Sequence, residues 1–366
     1  MENDHGHVVI VGAGIAGLAF SIALTQRGVP AERQRVIERA SQPAEEGAGI
    51  TLHTHGQAAL RALGISVEAR AIKEIVIADA ASQPLQRSAP QIPLLAISRP
   101  ALLRALVEAT ETEILFGHSV GSLRPCPHGI EVTFADGSHQ LASQLVAADG
   151  LYSHTRALLG NPITPRYAGY TCYRALLDVD LDLDAAYECW GRGRRVGVVP
   201  MPNGTYVYLT ENAPAGTMAS LPNADTIRDR FAEFSGIAER ALAHLPDEFL
   251  HHDLSFLPRH DFGRAPSYLI GDAAHGFTPN LGMGASVALE DALQLADALR
   301  HPERTSYPGL RRRDLARVAQ RSQRIGQVAQ WQHPIAVRLR DALTKAFPSP
   351  PMAKLLPPVY TTSHAT

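Results

Sequence analysis

Apolar residues run almost unbroken from Val8 to Leu24, and the chain then alternates between strand-like and helix-like periods. Residues 8–11 read as a short buried strand, and 15–27 as a helix with Gly28 placed as its C-terminal cap. Residues 35–38 predict a second strand, and a helical stretch follows around 57–63. Residues 72–97 read as short strands and turns, and 100–109 as a helix opened by Pro100. Period-two alternation dominates 112–150 and again 166–210, including 195–199 and 205–209. The second block has the texture of antiparallel sheet. Residues 224–245 predict one or two helices, 268–270 a short buried strand, and 284–300 a long amphipathic helix. Residues 309–345 are rich in helix formers, and 348–366, with five prolines, read as an irregular tail.

These periods give an α/β fold class with an α+β second lobe. A Rossmann-type domain comprises 1–71, 96–165 and 259–300. An antiparallel-sheet substrate domain comprises 72–95 and 166–258, and a C-terminal helical segment and tail covers 301–366. With 366 residues, the chain is long enough for two lobes and a sizeable core.

Composition narrows the chemistry. Hydrophobic residues make up 45% and charged residues 19%, as in an ordinary globular protein. A net charge of -2 supplies no electrostatic case for nucleic acid or an anionic membrane, so neither is expected as a partner. Cys126, Cys172 and Cys189 are odd in number, far apart and without a CxxC pair, which fits a reducing, cytoplasmic setting. The apolar run 8–24 is interrupted by three glycines and preceded by Glu2 and Asp4, where a secretory leader begins basic. The 16 histidines include His5/His7, His53/His55 and His251/His252, but no carboxylate or cysteine stands beside them at a ligand spacing, so no metal site is expected. Arg311-Arg312-Arg313 reads as a solvated helix face.

Two glycine-rich segments carry the chemistry. In Gly12-Ala13-Gly14-Ile15-Ala16-Gly17, between strand and helix, Gly12 permits the tight turn and Gly14 the approach of a pyrophosphate. Gly17 permits close helix–strand packing. The helix start offers free N–H groups to phosphates. Glu38, 21 residues after Gly17, is placed to accept a hydrogen bond from a ribose hydroxyl. This segment alone leaves FAD and NAD undistinguished. In Ile270-Gly271-Asp272-Ala273-Ala274-His275 a strand delivers Asp272 to a loop, where it can accept hydrogen bonds from a polyol. Pro279-Asn280-Leu281-Gly282-Met283-Gly284 then opens a helix whose dipole can face a group that becomes negative.

With Ala148-Asp149-Gly150 and Ile97-Ser98-Arg99-Pro100 between them, these segments resemble the class A flavoprotein monooxygenases, the p-hydroxybenzoate and salicylate hydroxylase family. That family has an N-terminal GxGxxG, an internal DG and a C-terminal GD motif, in this order. The resemblance covers about residues 7–330. It implies FAD as cofactor, NADH or NADPH as co-substrate, and O2 inserted into a small aromatic or heteroaromatic ring through a flavin C4a-hydroperoxide.

The resemblance assigns FAD contacts to the Gly12–Gly17 loop with Ile15 and Ala16, to Glu38, Arg39, Gly49 and Arg99, and to Asp149 and Gly150. It adds Gly271, Asp272, Pro279, Leu281, Gly282, Met283 and Gly284. His55 stands where the family often has Asn. On the substrate side Arg195, Tyr206 and Tyr208, with Pro279, are the candidate catalytic residues. Tyr206 and Tyr208 share a strand face. Tyr170, Tyr173 and Arg174 also belong to this sheet, and Arg195 or Arg174 is expected to face a polar substrate edge. His275, beside the flavin motif, has two readings, a catalytic group or a structural hydrogen bond, and the structural one is expected.

Two other readings compete. One is a reductase or dehydrogenase of the same fold without oxygen insertion. The other is a flavin-retaining protein that binds a metabolite without turnover. No WxWxIP halogenase motif or second GxGxxG occurs, and no GxSxG elbow accompanies Ser153 and His154. The expected assembly is a monomer or homodimer.

Overall fold

The structure is a computed structural model, and it describes residues 7–43, 47–216, 222–302 and 306–347. The chain opens with β1 (His7–Val11), α1 (Ile15–Gln26) and β2 (Gln34–Glu38). Then come β3 (Gly49–Leu52), α2 (Thr54–Ala62), β4 (Arg70–Ile72), β5 (Ile75–Asp79), β6 (Pro84–Ser88) and β7 (Leu94–Ser98). The helix α3 (Arg99–Ala109) is capped by the Ser98 hydroxyl, which accepts from the Ala101 N–H, and carries a proline in its first turn, where no intrahelical donor is lost. After it run β8 (Ile114–Phe116), β9 (Val120–Cys126), β10 (Gly129–Phe134), β11 (His139–Ala147) and α4 (His154–Leu158). Four strands follow: β12 (Arg166–Leu177), β13 (Ala186–Trp190), β14 (Arg194–Pro200) and β15 (Thr205–Asn212). Next are α5 (Ala224–Arg230), α6 (Ile237–Ala243), β16 (Leu250–Phe256), β17 (Gly263–Arg264) and β18 (Ser267–Leu269). The chain closes with α7 (Asp272–His275), α8 (Gly284–Arg300), α9 (Tyr307–Ala329) and α10 (Pro334–Ala346).

The block 112–150, uniform in its alternation, divides between two roles. β11 joins a parallel sheet in the order β8, β2, β1, β11, β18, while β9 and β10 extend it from β11 as an antiparallel pair. β1 sits at its centre with Val9 and Ile10 fully buried, as expected of a strand covered on both faces. The second sheet runs β16, β12, β15, β14, β13, β5, β6 and is antiparallel except for β13 beside β5. A small third sheet, β3, β7, β4, lies in the chain between the strands of the other two.

The second sheet shows why alternation matters. Tyr173, Ala175, Leu177, Val196, Val198, Val207 and Leu209 point to one face and pack against α5 and α6. Tyr170, Cys172, Arg174, Arg195, Tyr206, Tyr208 and Thr210 therefore point to the other. Residues 224–245 form two helices rather than one, because the chain turns at Gly236, whose φ of 68° disfavours side chains with a Cβ. Residues 309–345 likewise divide into α9 and α10 around residues 330–333. The proline-rich 348–366 lie outside the described residues.

Candidate active site

At the C-terminal end of the parallel sheet the glycines of the first loop have distinct physical duties. Gly12 has φ 109°, and a Cβ there would lie 2.5 Å from the Ala148 carbonyl oxygen. A Cβ on Gly17 would lie 2.0 Å from the Gly12 carbonyl oxygen. A Cβ on Gly14 would meet nothing within 4 Å. Gly12 and Gly17 are thus forced by packing, whereas Gly14 borders open space at the start of α1. No side chain caps that helix. Glu38 closes the loop from below: its carboxylate accepts the Ala13 N–H at 2.9 Å and the Ala40 N–H at 2.9 Å. Arg39 beside it is exposed.

The second glycine segment meets the first. A Cβ on Gly271 would lie 3.0 Å from the Ala16 Cβ and 3.6 Å from the Ala288 Cβ, so this residue sits where α1 and α8 converge. Asp272 follows, exposed to solvent between the two helix starts. Desolvation by the surrounding protein raises its carboxyl above the usual range, while His275 and Arg99 pull it down. Gly282 adopts a left-handed φ of 61° under Thr51, whose hydroxyl donates to the Gly282 carbonyl at 3.3 Å. Gly284 again opens a helix N-terminus that no side chain caps, and a Cβ there would meet nothing within 4 Å. Two uncapped helix starts thus converge beside Asp272.

Buried polar groups hold this loop. Asp291 of α8 accepts the Gly271 N–H at 2.8 Å and pairs with His275 Nε2 at 2.5 Å and Arg311 Nε at 2.6 Å. Arg311 and His275 keep the Asp291 carboxyl below its usual range despite burial. Arg311 is therefore buried and paired rather than part of the expected solvated face, which Arg312 alone occupies among the described side chains of that run. His275 is therefore structural in its contacts. His55 lies 3.7 Å from Glu290, the second carboxylate partner of Arg311. Arg156, buried, donates to the carbonyls of Ala273, Leu151 and Ile163, tying the DG and GD segments together. Asp149 accepts from the Ser153 hydroxyl and the Thr155 N–H, which anchors α4 beside Gly150. Arg99 has no carboxylate at ion-pair distance among the described residues. Burial lowers its guanidinium below the usual range, with Asp272 opposing and Arg174 reinforcing that shift.

The antiparallel sheet supplies the facing wall. A Cβ on Gly49 would lie 2.6 Å from the Tyr206 ring, so a glycine in β3 lets this ring close on the cleft. Tyr206 and Tyr208 stand 5.9 Å apart between ring centres. Burial drives both phenols well above their usual range, so they stay protonated and act as donors. Glu188 is the hub behind Tyr208: its charge reinforces the upward shift of the Tyr208 phenol, and it accepts the Trp190 indole N–H at 3.1 Å and Arg195 at 2.9 Å. Arg195 is 2% exposed, also reaches Thr210 and Gln330 at 3.1 Å, and lies 5.2 Å over the Tyr170 ring. The two arginines expected at a substrate edge therefore differ. Arg195 is enclosed and paired, whereas Arg174 is half-buried and has no carboxylate partner among the described residues. Tyr173 lies on the opposite face, where its hydroxyl donates to Glu211.

α9 joins the two halves. Asn280 exchanges hydrogen bonds with the Tyr170 hydroxyl and donates to the Ser322 carbonyl. Gln330, after the last turn, meets Arg195 and Thr210. Glu188, Arg156, Asn280 and Gln330 had no role in the sequence reading. The alternation of β13 places Glu188 on the inward face and was a usable signal; Gln330 had none. Pro279 is exposed at the cleft, beside buried Leu281 and Met283.

The residues present fit a flavin dinucleotide: Gly14 and Gly284 leave open space at uncapped helix starts, with Asp272 and Arg99 between them. Comparison with known proteins agrees. A family model described as FAD binding domain matches residues 5–325. The aurachin C monooxygenase/isomerase of Stigmatella aurantiaca is 32% identical over 93% of this chain and 94% of its own. The 2-heptyl-3-hydroxy-4(1H)-quinolone synthase of Pseudomonas aeruginosa is 31% identical over 97% of both. The structure of Klebsiella pneumoniae HpxO complexed with FAD and uric acid superposes with a TM-score of 0.81 at 23% identity, covering 94% of this chain and 95% of the other.

Proposed function

The chain belongs to the FAD-binding family of class A aromatic monooxygenases, and on that premise we propose that it is a single-component, NAD(P)H-dependent hydroxylase of a nitrogen heteroaromatic ring. The balance is ring C–H, O2, NAD(P)H and a proton giving ring C–OH, NAD(P)+ and water. One observation carries the reading: two uncapped helix starts open beside Asp272 and are faced across Gly49 by a wall of protonated tyrosines.

Bound FAD supplies electron storage and oxygen activation. The chain's own residues do the rest. The first turn of α1, with Gly14, receives the pyrophosphate, and Glu38 receives the adenosine ribose. Asp272 and Arg99 hold the ribitol and phosphate region. The N–H groups at Gly284 favour negative charge at the ring edge nearest them. Asp149 keeps α4 and Gly150 in register with the first loop. Tyr206 and Tyr208 present a donor-rich, partly apolar wall that orients a flat ring and excludes water. A heteroaromatic substrate is favoured because the two relatives above are named for aurachin and quinolone chemistry.

The test measures O2 uptake, NAD(P)H oxidation and ring product with a panel of 4-quinolones, hydroxybenzoates and urate, using isotopically labelled O2. Label in a ring hydroxyl of one panel member is expected. Reduction of a C=C or C=O bond without O2 uptake overturns the oxygenase reading in favour of a reductase.

A further inference from the structure

α10 is inside out. At 3.6 residues per turn, Ile335, Leu339, Ala342, Leu343 and Ala346 project within an arc of roughly 100°. That arc points away from the protein, with Ile335 71%, Leu339 53% and Leu343 44% exposed, and Phe347, 73% exposed, follows the last turn. The opposite face carries the polar groups. Arg340 is buried there, donating to the carbonyls of Gly191, Trp190 and Ala329 and stacked on the Trp190 ring. Solvated helices show the reverse arrangement. Elsewhere among the described residues, exposed large apolar side chains are scattered singly, which needs no explanation; four on one 13-residue helix and its end do.

Charge selects the occupant. Arg338 and Lys345 flank the apolar arc on one shoulder, both exposed and without a carboxylate partner among the described residues. The only acid on α10, Asp341, is paired with Arg340. The whole-chain charge of -2 conceals a segregation: residues 306–347 hold nine Lys or Arg against two Asp. In α9, Arg312, Arg317 and Arg324 are exposed. A second copy fits poorly. A strip about 20 Å long and one helix wide presents on the order of 200 Å² in projection, against roughly 800 Å² per partner in a stable complex. Paired copies would also set Arg338 and Lys345 among each other's cations, with no free acid on either helix to meet them.

We propose that α10 is a docking helix for an anionic phospholipid surface, with Ile335, Leu339, Leu343 and Phe347 entering the acyl boundary and Arg338 and Lys345 meeting headgroup phosphates. Such a helix lies in the interface plane and does not span it, in keeping with the finding that no described helix is long and apolar enough to cross a membrane. An enzyme held there draws apolar aromatic substrates from the lipid phase.

The experiment is vesicle co-sedimentation of the flavin-loaded full chain, with vesicles of phosphatidylcholine alone or mixed with phosphatidylglycerol. Binding to the mixed vesicles is expected, and high salt should weaken it. Replacing Arg338 and Lys345 together with Gln should weaken it about thirtyfold. Leu339→Glu should abolish it while flavin absorbance and thermal unfolding stay unchanged. No sedimentation with either vesicle, equal sedimentation with both, or undiminished binding of Leu339→Glu overturns the proposal. A dimer in light scattering that Leu339→Glu converts to monomer assigns the face to a second copy instead.

Discussion

The Tyr170 hydroxyl and the Asn280 side-chain amide bond each other across the cleft, at 2.9 Å to Nδ2 and 3.1 Å to Oδ1. One residue belongs to the substrate-side sheet, and the other to the turn that precedes α8. The Tyr170 ring also lies under Arg195, so wall and turn share one residue. Gly326 of α9 makes room for the pair: a Cβ there would lie 2.4 Å from Asn280 Nδ2 and 2.6 Å from the Tyr170 hydroxyl.

Tyr170→Phe removes that bond and keeps the ring. Loss of one hydrogen bond costs about 1 kcal/mol, too little to unfold the chain. The expected result is normal flavin content, with a larger share of electrons ending as H2O2, because ring and flavin are held less firmly relative to each other. Oxygen-electrode traces with and without catalase measure that share. An unchanged peroxide yield removes the bridge from the coupling of the two halves.

The glycine loop separates binding from folding. Gly14→Val adds a side chain in open space, so the fold should persist while FAD affinity falls by about tenfold or more, because the pyrophosphate must approach that backbone. Gly17→Val drives a Cβ into the Gly12 carbonyl and should lower the melting temperature of the flavin-free chain. Asp272→Ala should behave like Gly14→Val. Fluorescence titration with FAD, paired with thermal unfolding, tells the classes apart. Full flavin retention in both Gly14→Val and Asp272→Ala contradicts the assigned cradle.

What the sequence disclosed and what it withheld differ by range of contact. The two glycine segments were legible because turn, open backbone and helix start lie within six consecutive residues. The face of Tyr206 and Tyr208 was legible because strand period is local. Arg156 was not, since its partners Leu151, Ile163 and Ala273 are brought together only by the fold. Neither was the enclosure of Arg195, which depends on Gln330, 135 residues away. The whole-chain charge gave no hint of a basic C-terminal region, because net charge averages over a segregated distribution.

His53 adds a pH dependence. Burial holds its pKa at about 4, below the ordinary 6.5, and its Nε2 lies 3.0 Å from the Leu281 carbonyl in the turn before α8. A carbonyl acceptor requires an Nε2–H, so the neutral ring serves as donor. The unfolded chain takes up a proton near pH 6.5 and the folded chain does not, so stability is full above that pH. It declines as pH falls toward 4, by on the order of 3 kcal/mol across the window. Melting temperature measured from pH 7.5 to 4.5 should fall. His53→Gln, which keeps a donor but does not titrate, should flatten the fall. The same slope in both proteins removes His53 as its source.

Arg195 and Glu188 decide what the substrate wall is made of. Arg195 was expected to meet the substrate, yet its charge is met by Glu188 and its Nε by Thr210 and Gln330. A buried pair broken from one side leaves an uncompensated charge, at a cost of about 3–5 kcal/mol. Arg195→Ala strands Glu188, and Glu188→Gln strands Arg195. If the pair is a scaffold for Tyr208, both substitutions should act alike: lower melting temperature, raised KM and more peroxide for every accepted substrate. If Arg195 also touches the substrate, Arg195→Ala should exceed Glu188→Gln in its effect on KM, and only for ligands with a negative or carbonyl edge. Arg174→Met supplies the comparison, because its guanidinium has no carboxylate to strand and should alter KM without altering stability. KM, product yield and melting temperature across neutral and anionic ligands resolve the three variants. Unchanged ligand affinity and product yield in Arg195→Ala would exclude any part for this arginine in the pocket.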